Sequence, residues 1–126
     1  MRVQTYLYTT PVITLTQNNS IHDALLLMQK NEIKRIVIAD NNEPIGIVTE
    51  RDMGKFLEKD KTARMLDKIP LSQIMTKNPV TMTVGQDDHL TQCAIRMETF
   101  QISAVIVVDG DGKLVSVVVE YKLAKL

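Results

Sequence analysis

The chain has 126 residues, of which 44% are hydrophobic and 4% aromatic, and its 15 basic and 15 acidic residues leave no net charge. This size fits one compact globular protein, and a neutral chain lacks the positive field that draws proteins to nucleic acid or anionic lipid. With one cysteine, no signal-peptide pattern and no apolar run near the ~20 residues of a membrane helix, we expect a cytoplasmic protein without internal disulfides.

The first half of the chain predicts a strand, a helix and a β-hairpin. Pro11-Val12 is matched by Pro79-Val80 in the second half of the chain. Apolar residues then recur at the i, i+3, i+4, i+7 spacing of one helix face: Ile21, Ala24, Leu25 and Met28. Ser20 with Asp23 is an N-cap pattern for this helix. The β-branched run 33–40, followed by two asparagines, and the segment 44–49 are typical of two strands joined by a tight turn.

The second half repeats this pattern after a charged connector. Residues 50–68 predict a solvated helix and connector, which ends before Pro70. The helix spacing returns 69 residues after Ile21, at Leu90, Cys93, Ala94 and Met97. Two strands follow at 102–109 and 114–119 around a glycine-containing turn. We therefore predict an α/β (α+β) protein of two β-α-β-β-α repeats, residues 1–68 with the connector helix and residues 69–126.

Two segments carry a family resemblance. They are Leu-Ser-Gln-Ile-Met-Thr-Lys-Asn-Pro-Val-Thr at 71–81 and Gly-Ile-Val-Thr-Glu-Arg-Asp at 46–52. With the duplication, the chain resembles a tandem pair of CBS (cystathionine-β-synthase-type) domains, or Bateman module, of the small stand-alone type found in archaea and bacteria. The resemblance implies pseudo-twofold repeats packed sheet to sheet, with clefts that in many members hold adenine nucleotides or S-adenosylmethionine. It also implies a homodimer formed through helices.

Thr49 and Asp52 are the main candidates for ligand binding. A carboxylate at a helix start can accept hydrogen bonds from both hydroxyls of a ribose, and the helix N-terminus favours a phosphate. The same Thr-x-x-Asp spacing is also a capping box, which requires no ligand. Spacing alone favours the cap, whereas the preceding Gly46-Ile47-Val48 and the repeat context favour ligand binding.

The second repeat has lost this pair of side chains. Val119 stands at the position of Thr49 and Lys122 at the position of Asp52. Neither side chain can accept a hydrogen bond from a ribose hydroxyl. We therefore predict one nucleotide per chain, with Lys122 either contacting a phosphate or lying in solvent.

The resemblance implies further ligand contacts, because in this family the second repeat completes the cleft of the first. Residues that match the adenine-binding positions are Asn78, Pro79, Val80, Met82, Ile102 and Ser103. Lys34 and Arg35 match positions that reach phosphate groups in some relatives, although an exposed strand end explains them equally well. Arg51 is a further phosphate candidate.

These observations predict a regulatory module that binds AMP, ADP, ATP or S-adenosylmethionine, forms a homodimer and signals to an effector protein. The alternative is a ligand-independent dimerisation or interaction module in which Thr49 and Asp52 only cap a helix. We expect no catalytic residue, metal or resident cofactor, because His22, His89 and Cys93 are scattered and form no nucleophile–base pair. Nucleic acid and membrane are not expected partners.

Overall fold

In a computed structural model, residues 12–59, 65–83 and 90–119 are described. They fall into two compact units, each built around one of the two helix-and-hairpin patterns. Ile13–Asn78 form the first unit, and Val12 with residues 79–119 form the second. None of the described helices is long and apolar enough to cross a bilayer.

The first unit is a four-stranded sheet with two helices. Strand order is β1-β2-β3-β4, with β1 parallel to β2 and the other neighbours antiparallel. Its elements in chain order are β1 (Thr14–Leu15), α1 (Ile21–Asn31), β2 (Arg35–Asp40), β3 (Glu43–Thr49), α2 (Glu50–Lys59), two 3-10 turns (Leu66–Lys68 and Leu71–Gln73) and β4 (Thr76–Lys77).

The second unit repeats this topology. A parallel β5-β6 pair and an antiparallel β6-β7 pair form a sheet of order β5-β6-β7, matching β1-β2-β3. The elements are β5 (Thr81–Thr83), α3 (Leu90–Phe100), β6 (Ala104–Val108) and β7 (Leu114–Val119). Both hairpins also carry a register shift at corresponding positions, between Ile38 and Ala39 and between Val107 and Val108. The predicted duplication is confirmed, with the first strand of each repeat present as β1 and β5, whereas a helix after residue 119 lies outside the described residues.

Helix boundaries follow from local hydrogen bonds. Ser20 caps α1 through a reciprocal capping box with Asp23, as the sequence predicts. Glu32 after α1 and Gln101 after α3 both have a φ of 54°, the left-handed conformation in which many helices end. The next amide bonds back to the last turn in each case, from Ile33 N to Met28 O and from Ile102 N to Met97 O, both at 3.0 Å.

The core of each unit lies on the helix-facing side of its sheet. Alternation along β2 and β3 directs Ile36, Ile38 and Val48 to this side in the first unit, as period-2 strands require. The predicted helix stripes supply buried side chains in both units, including Met28 and Cys93. Ala94 departs from this prediction because it is exposed. Its counterpart in α1, Leu25, has a longer side chain and is half-buried.

The segment Ile69–Lys77, here called the connecting segment, packs on the first unit although it belongs to the second sequence repeat. Ile69 and Leu71 are 1% and 0% exposed within the first core. Main-chain hydrogen bonds tie the segment to the residues before α1, from Ile21 N to Ile69 O (3.0 Å) and from Leu71 N to Asn19 O (2.8 Å). The repeat boundary predicted after residue 68 thus differs from the boundary between compact units, which follows Asn78.

Candidate functional site

Thr49 and Asp52 form a capping box at the junction of β3 and α2. Thr49 N donates to Asp52 Oδ2 at 3.0 Å, and Asp52 N donates to Thr49 Oγ1 at 3.0 Å. Both residues are half-buried. The structural interpretation of this motif, a helix cap that requires no ligand, is therefore present in the fold.

The capping box does not use all the hydrogen-bonding capacity of Thr49 and Asp52. Among the residues that the structure describes, nothing donates to the second carboxylate oxygen of Asp52, Oδ1, and nothing accepts the Thr49 hydroxyl hydrogen. A carboxylate oxygen can accept two hydrogen bonds and a hydroxyl can donate one. The cap and a sugar-binding role are thus chemically compatible in one pair of side chains.

Ser20 and Asp23 provide an internal comparison for this motif. Ser20 N donates to Asp23 Oδ2 at 2.9 Å, and Asp23 N donates to Ser20 Oγ at 3.1 Å. Asn19 Nδ2 adds a further donor to Asp23 Oδ2 at 3.2 Å. The backbone hydrogen bond from Ser20, followed by that from Asn19, holds the pKa of Asp23 below its usual 3.8. Capping geometry alone therefore does not distinguish the Asp52 position from an ordinary helix start.

Basic residues distinguish the Asp52 position. Arg35 pairs with Thr49 in the β2–β3 register, and directly opposed residues project from the same face of a sheet. Glu50 N donates to Lys34 O at 2.9 Å, which holds the start of α2 against the start of β2. The first unit therefore brings Lys34 and Arg35 next to the Thr49–Asp52 pair, and Arg51 is exposed on the first turn of α2.

The other predicted contacts follow the end of β4. Asn78 is exposed at the end of the first unit. Pro79 and Val80 begin the second unit and are half-buried, and Ile106 N donates to Val80 O at 3.2 Å. Their contact with a ligand stays a prediction from the family resemblance.

Met82 and the start of β6 complete the predicted set. Met82 is 2% exposed in the second core, where its Sδ accepts a hydrogen bond from Cys93 Sγ at 3.5 Å. A ligand contact through Met82 would therefore use its main chain. Ile102 is half-buried against the same core, and Ser103 is exposed.

In the second repeat, the described position that corresponds to Thr49 has an apolar side chain. Val119 ends β7, is 7% exposed and carries no hydroxyl. Lys122 lies outside the described residues. No group of three or more His, Cys, Asp or Glu side chains in the described ranges could hold a metal ion.

Gly46 has a structural role that the motif alone does not reveal. A Cβ atom at this position would lie 2.7 Å from Met75 Sδ and 3.2 Å from Thr76 O. The glycine therefore allows the connecting segment to pack closely beside β3, three residues before Thr49. Its counterpart Ser116 is 0% exposed, and its hydroxyl has no partner among the described residues.

The fold and site match a known family. The model of the CBS domain matches residues 3–59 and 71–126, so the chain belongs to the CBS domain family, as a tandem pair.

The chain is 32% identical over 106 residues to a homoserine O-acetyltransferase of Methanococcus vannielii, covering 83% of this chain and 20% of that protein. It is 31% identical over 117 residues to an L-aspartate semialdehyde sulfurtransferase of Methanocaldococcus jannaschii, covering 92% of this chain and 21% of that protein. The chain thus spans about a fifth of these enzymes.

Two solved structures of CBS proteins contain adenosine compounds. The CBS domain pair of protein MJ0100, in complex with 5′-methylthioadenosine and S-adenosyl-L-methionine, superposes with a TM-score of 0.82 at 29% identity, covering 99% of this chain and 94% of that one. The CBS domain protein PAE2072 from Pyrobaculum aerophilum, complexed with AMP, gives a TM-score of 0.82 at 25% identity, covering 98% and 90%. Structures similar to this chain thus hold both ligand types predicted from the sequence.

Proposed function

We propose that this chain is a regulatory module that binds an adenosine-containing ligand, namely AMP, ADP, ATP or S-adenosylmethionine, at Thr49 and Asp52. One observation carries the proposal: the capping box leaves Oδ1 of Asp52 without a donor among the described residues, and Arg35 pairs with Thr49 at the same place, which distinguishes this cap from the one at Asp23. A ribose presents two adjacent hydroxyls, which can donate to this carboxylate. Such charge-assisted hydrogen bonds are stronger than those between neutral groups.

The basic residues beside the pair suit the rest of such a ligand. Lys34 and Arg35, with Arg51 on the helix, would neutralise a phosphate, and the N-terminus of α2 adds a partial positive charge. The adenine would contact the residues implied by the resemblance: Asn78, Pro79, Val80, Met82, Ile102 and Ser103.

One ligand per chain is part of the proposal. Val119 replaces the threonine in the second repeat and Lys122 replaces the aspartate. The second position therefore offers neither the hydroxyl nor the carboxylate that a ribose requires. A stoichiometry of one ligand per chain tests this statement directly.

Regulation would operate by population shift. A ligand moves an equilibrium only by its difference in affinity between two arrangements, and an effector protein would recognise one of them. Leu26 on α1 and Ile95 on α3 occupy matching repeat positions and are 53% and 49% exposed. These apolar side chains support a homodimer formed through the helices.

The test is calorimetric titration of AMP, ADP, ATP and S-adenosylmethionine into the wild type, Asp52→Ala and Asp23→Ala. Asp23→Ala removes an equivalent capping carboxylate from another helix and is the matched control. Wild type and Asp23→Ala are expected to bind one ligand per chain, and Asp52→Ala to bind about a hundredfold more weakly, because two hydrogen bonds to a charged group are lost.

Two results would contradict the proposal. Absence of binding by the wild type would favour the ligand-independent interaction module. Equal binding by Asp52→Ala and Asp23→Ala would show that Asp52 is only a cap. Mass spectrometry of small molecules released from the denatured protein would identify a ligand that is retained during purification.

A further inference from the structure

A row of paired residues crosses the first sheet beside the candidate site. Val37 of β2 pairs with Thr14 of β1 and with Ile47 of β3, and Ile47 pairs with Thr76 of β4. Directly opposed residues project from the same face of a sheet, so the whole row lies on one face. This face points away from the helices, because Val48, the residue after Ile47, belongs to the helix-side core.

Thr49 lies on the same face, one step along β3 from this row. Side chains alternate along a strand, so Ile47 and Thr49 project in the same direction. Because Thr76 lies opposite Ile47, Thr49 and Thr76 are diagonal neighbours on adjacent strands, a relation that places residues about 7–8 Å apart. A ligand held by Thr49 and Asp52 is therefore within reach of Thr76.

The Thr76 side chain has unused hydrogen-bonding capacity. It is exposed at the edge of the sheet, and in the described ranges nothing is hydrogen-bonded to its hydroxyl. A hydroxyl can donate one hydrogen bond and accept two. The Thr49 hydroxyl, which accepts a hydrogen bond from Asp52 N, can likewise still donate. Two hydroxyl groups of the first unit thus flank the position proposed for the ligand.

We propose that Thr76 contacts the ligand of the Thr49–Asp52 site and that the ligand thereby fastens β4 to β3. β4 is two residues long and lies at the edge of the sheet. A ligand hydrogen-bonded to both hydroxyls stabilises the paired state, because it binds that state better than one in which β4 has separated. Since β4 belongs to the connecting segment, ligand binding in the first unit acts on the start of the second sequence repeat. The inference rests on the proposed function for the identity of the ligand.

The test compares Thr76→Val, Thr76→Ser and the matched control Thr14→Val in calorimetric titrations with AMP and S-adenosylmethionine. Valine is β-branched like threonine, so β4 is expected to form without the hydroxyl. Thr76→Val should bind about fivefold more weakly, as for the loss of one hydrogen bond between uncharged groups, and Thr76→Ser within about twofold of wild type. Thr14 is exposed in the other edge strand, two strands from β3, so Thr14→Val should retain wild-type affinity.

Hydrogen exchange measures the effect on β4. With AMP at about a hundred times its Kd, amide exchange in residues 74–78 of the wild type is expected to slow about tenfold or more. Exchange in β1, the other edge strand, is expected to slow much less. At the same fractional saturation, Thr76→Val should show less protection of residues 74–78 than the wild type.

Unchanged affinity in Thr76→Val would overturn the inference. An equal loss in Thr76→Ser or Thr14→Val would also overturn it, because the Thr76 hydroxyl would then not be the important feature. Equal protection of β1 and β4 by AMP would refute the fastening of β4. A wild type that binds neither ligand would refute the proposed function and this inference together, whereas wild-type binding that is insensitive to Thr76→Val would refute the inference alone.

Discussion

Two glycine-to-alanine substitutions in this chain should have opposite effects on stability. At Gly46, the added Cβ would lie 2.7 Å from Met75 Sδ, 3.1 Å from Met75 Cγ and 3.2 Å from Thr76 O. Carbon atoms normally approach to about 3.5–4.0 Å, so both the methionine and the connecting segment have to move. Overpacking of this kind costs about 1–3 kcal/mol, and we expect Gly46→Ala to lose about 2 kcal/mol.

Gly54 is the matched control. It lies inside α2, and a Cβ there would meet no atom within 4 Å. Alanine in an exposed helix interior is about 1 kcal/mol more favourable than glycine, so Gly54→Ala should raise the free energy of unfolding. Urea unfolding followed by circular dichroism measures both changes as shifts of the midpoint at constant slope.

A double-mutant cycle identifies the clashing atoms. If the Met75 side chain is the main obstacle, Met75→Ala should recover about 1 kcal/mol of the loss in Gly46→Ala beyond additivity. No recovery would place the strain on Thr76 O and the backbone of β4. A Gly46→Ala protein as stable as wild type would refute the close approach, and a destabilised Gly54→Ala protein would refute the assignment of open space.

Three further substitutions test local features. Glu32→Gly and Gln101→Gly should each raise the free energy of unfolding by about 0.5–1 kcal/mol in urea titrations, because glycine adopts the left-handed cap without strain; a loss of stability would contradict this. Asp23→Ala should cost about 1 kcal/mol near neutral pH, because the Ser20 amide loses its acceptor and the first turn of α1 loses a negative charge. Because the pKa of Asp23 is lowered from 3.8, this contribution is present above that pH and lost as the pH falls through the folded-state value, so thermal melts of variant and wild type should converge in acid. Burial raises the pKa of Cys93 to about 11, so the folded protein should not react with a thiol reagent at about pH 8, whereas urea-unfolded protein should; rapid labelling without urea would contradict its burial.

Local patterns predicted much of the fold because their determinants lie close together in the chain. Ser20 and Asp23 cap α1 through neighbouring backbone amides, and the apolar stripe ending at Met28 requires only helical spacing. The strands 35–40 and 43–49 follow from β-branched residues around two asparagines that tolerate positive φ. The second repeat follows the same rules, so the duplication can be recognised from residue spacing alone.

Features that depend on distant contacts were not predictable in this way. β4 consists of two exposed residues, Thr76 and Lys77, and forms a strand only because β3 presents a pairing edge. The Gly46–Met75 contact likewise depends on the pairing of β4 with β3. At the candidate site, residue spacing is compatible with either a helix cap or a ligand contact for Asp52. The hydrogen bonds of the structure show that the cap uses one oxygen of the carboxylate, so the other oxygen can accept hydrogen bonds from a ligand.

The position of the connecting segment bears on how the protein folds during synthesis. The first sheet acquires its last strand, and its core acquires Ile69 and Leu71, only after translation has passed residue 77. A nascent chain that has emerged only to residue 68 therefore has an unpaired edge on β3 and an incomplete apolar core. The beginning of the second repeat thus acts as the final folding element of the first, and a deletion or chain break between the repeats would damage the unit that precedes it.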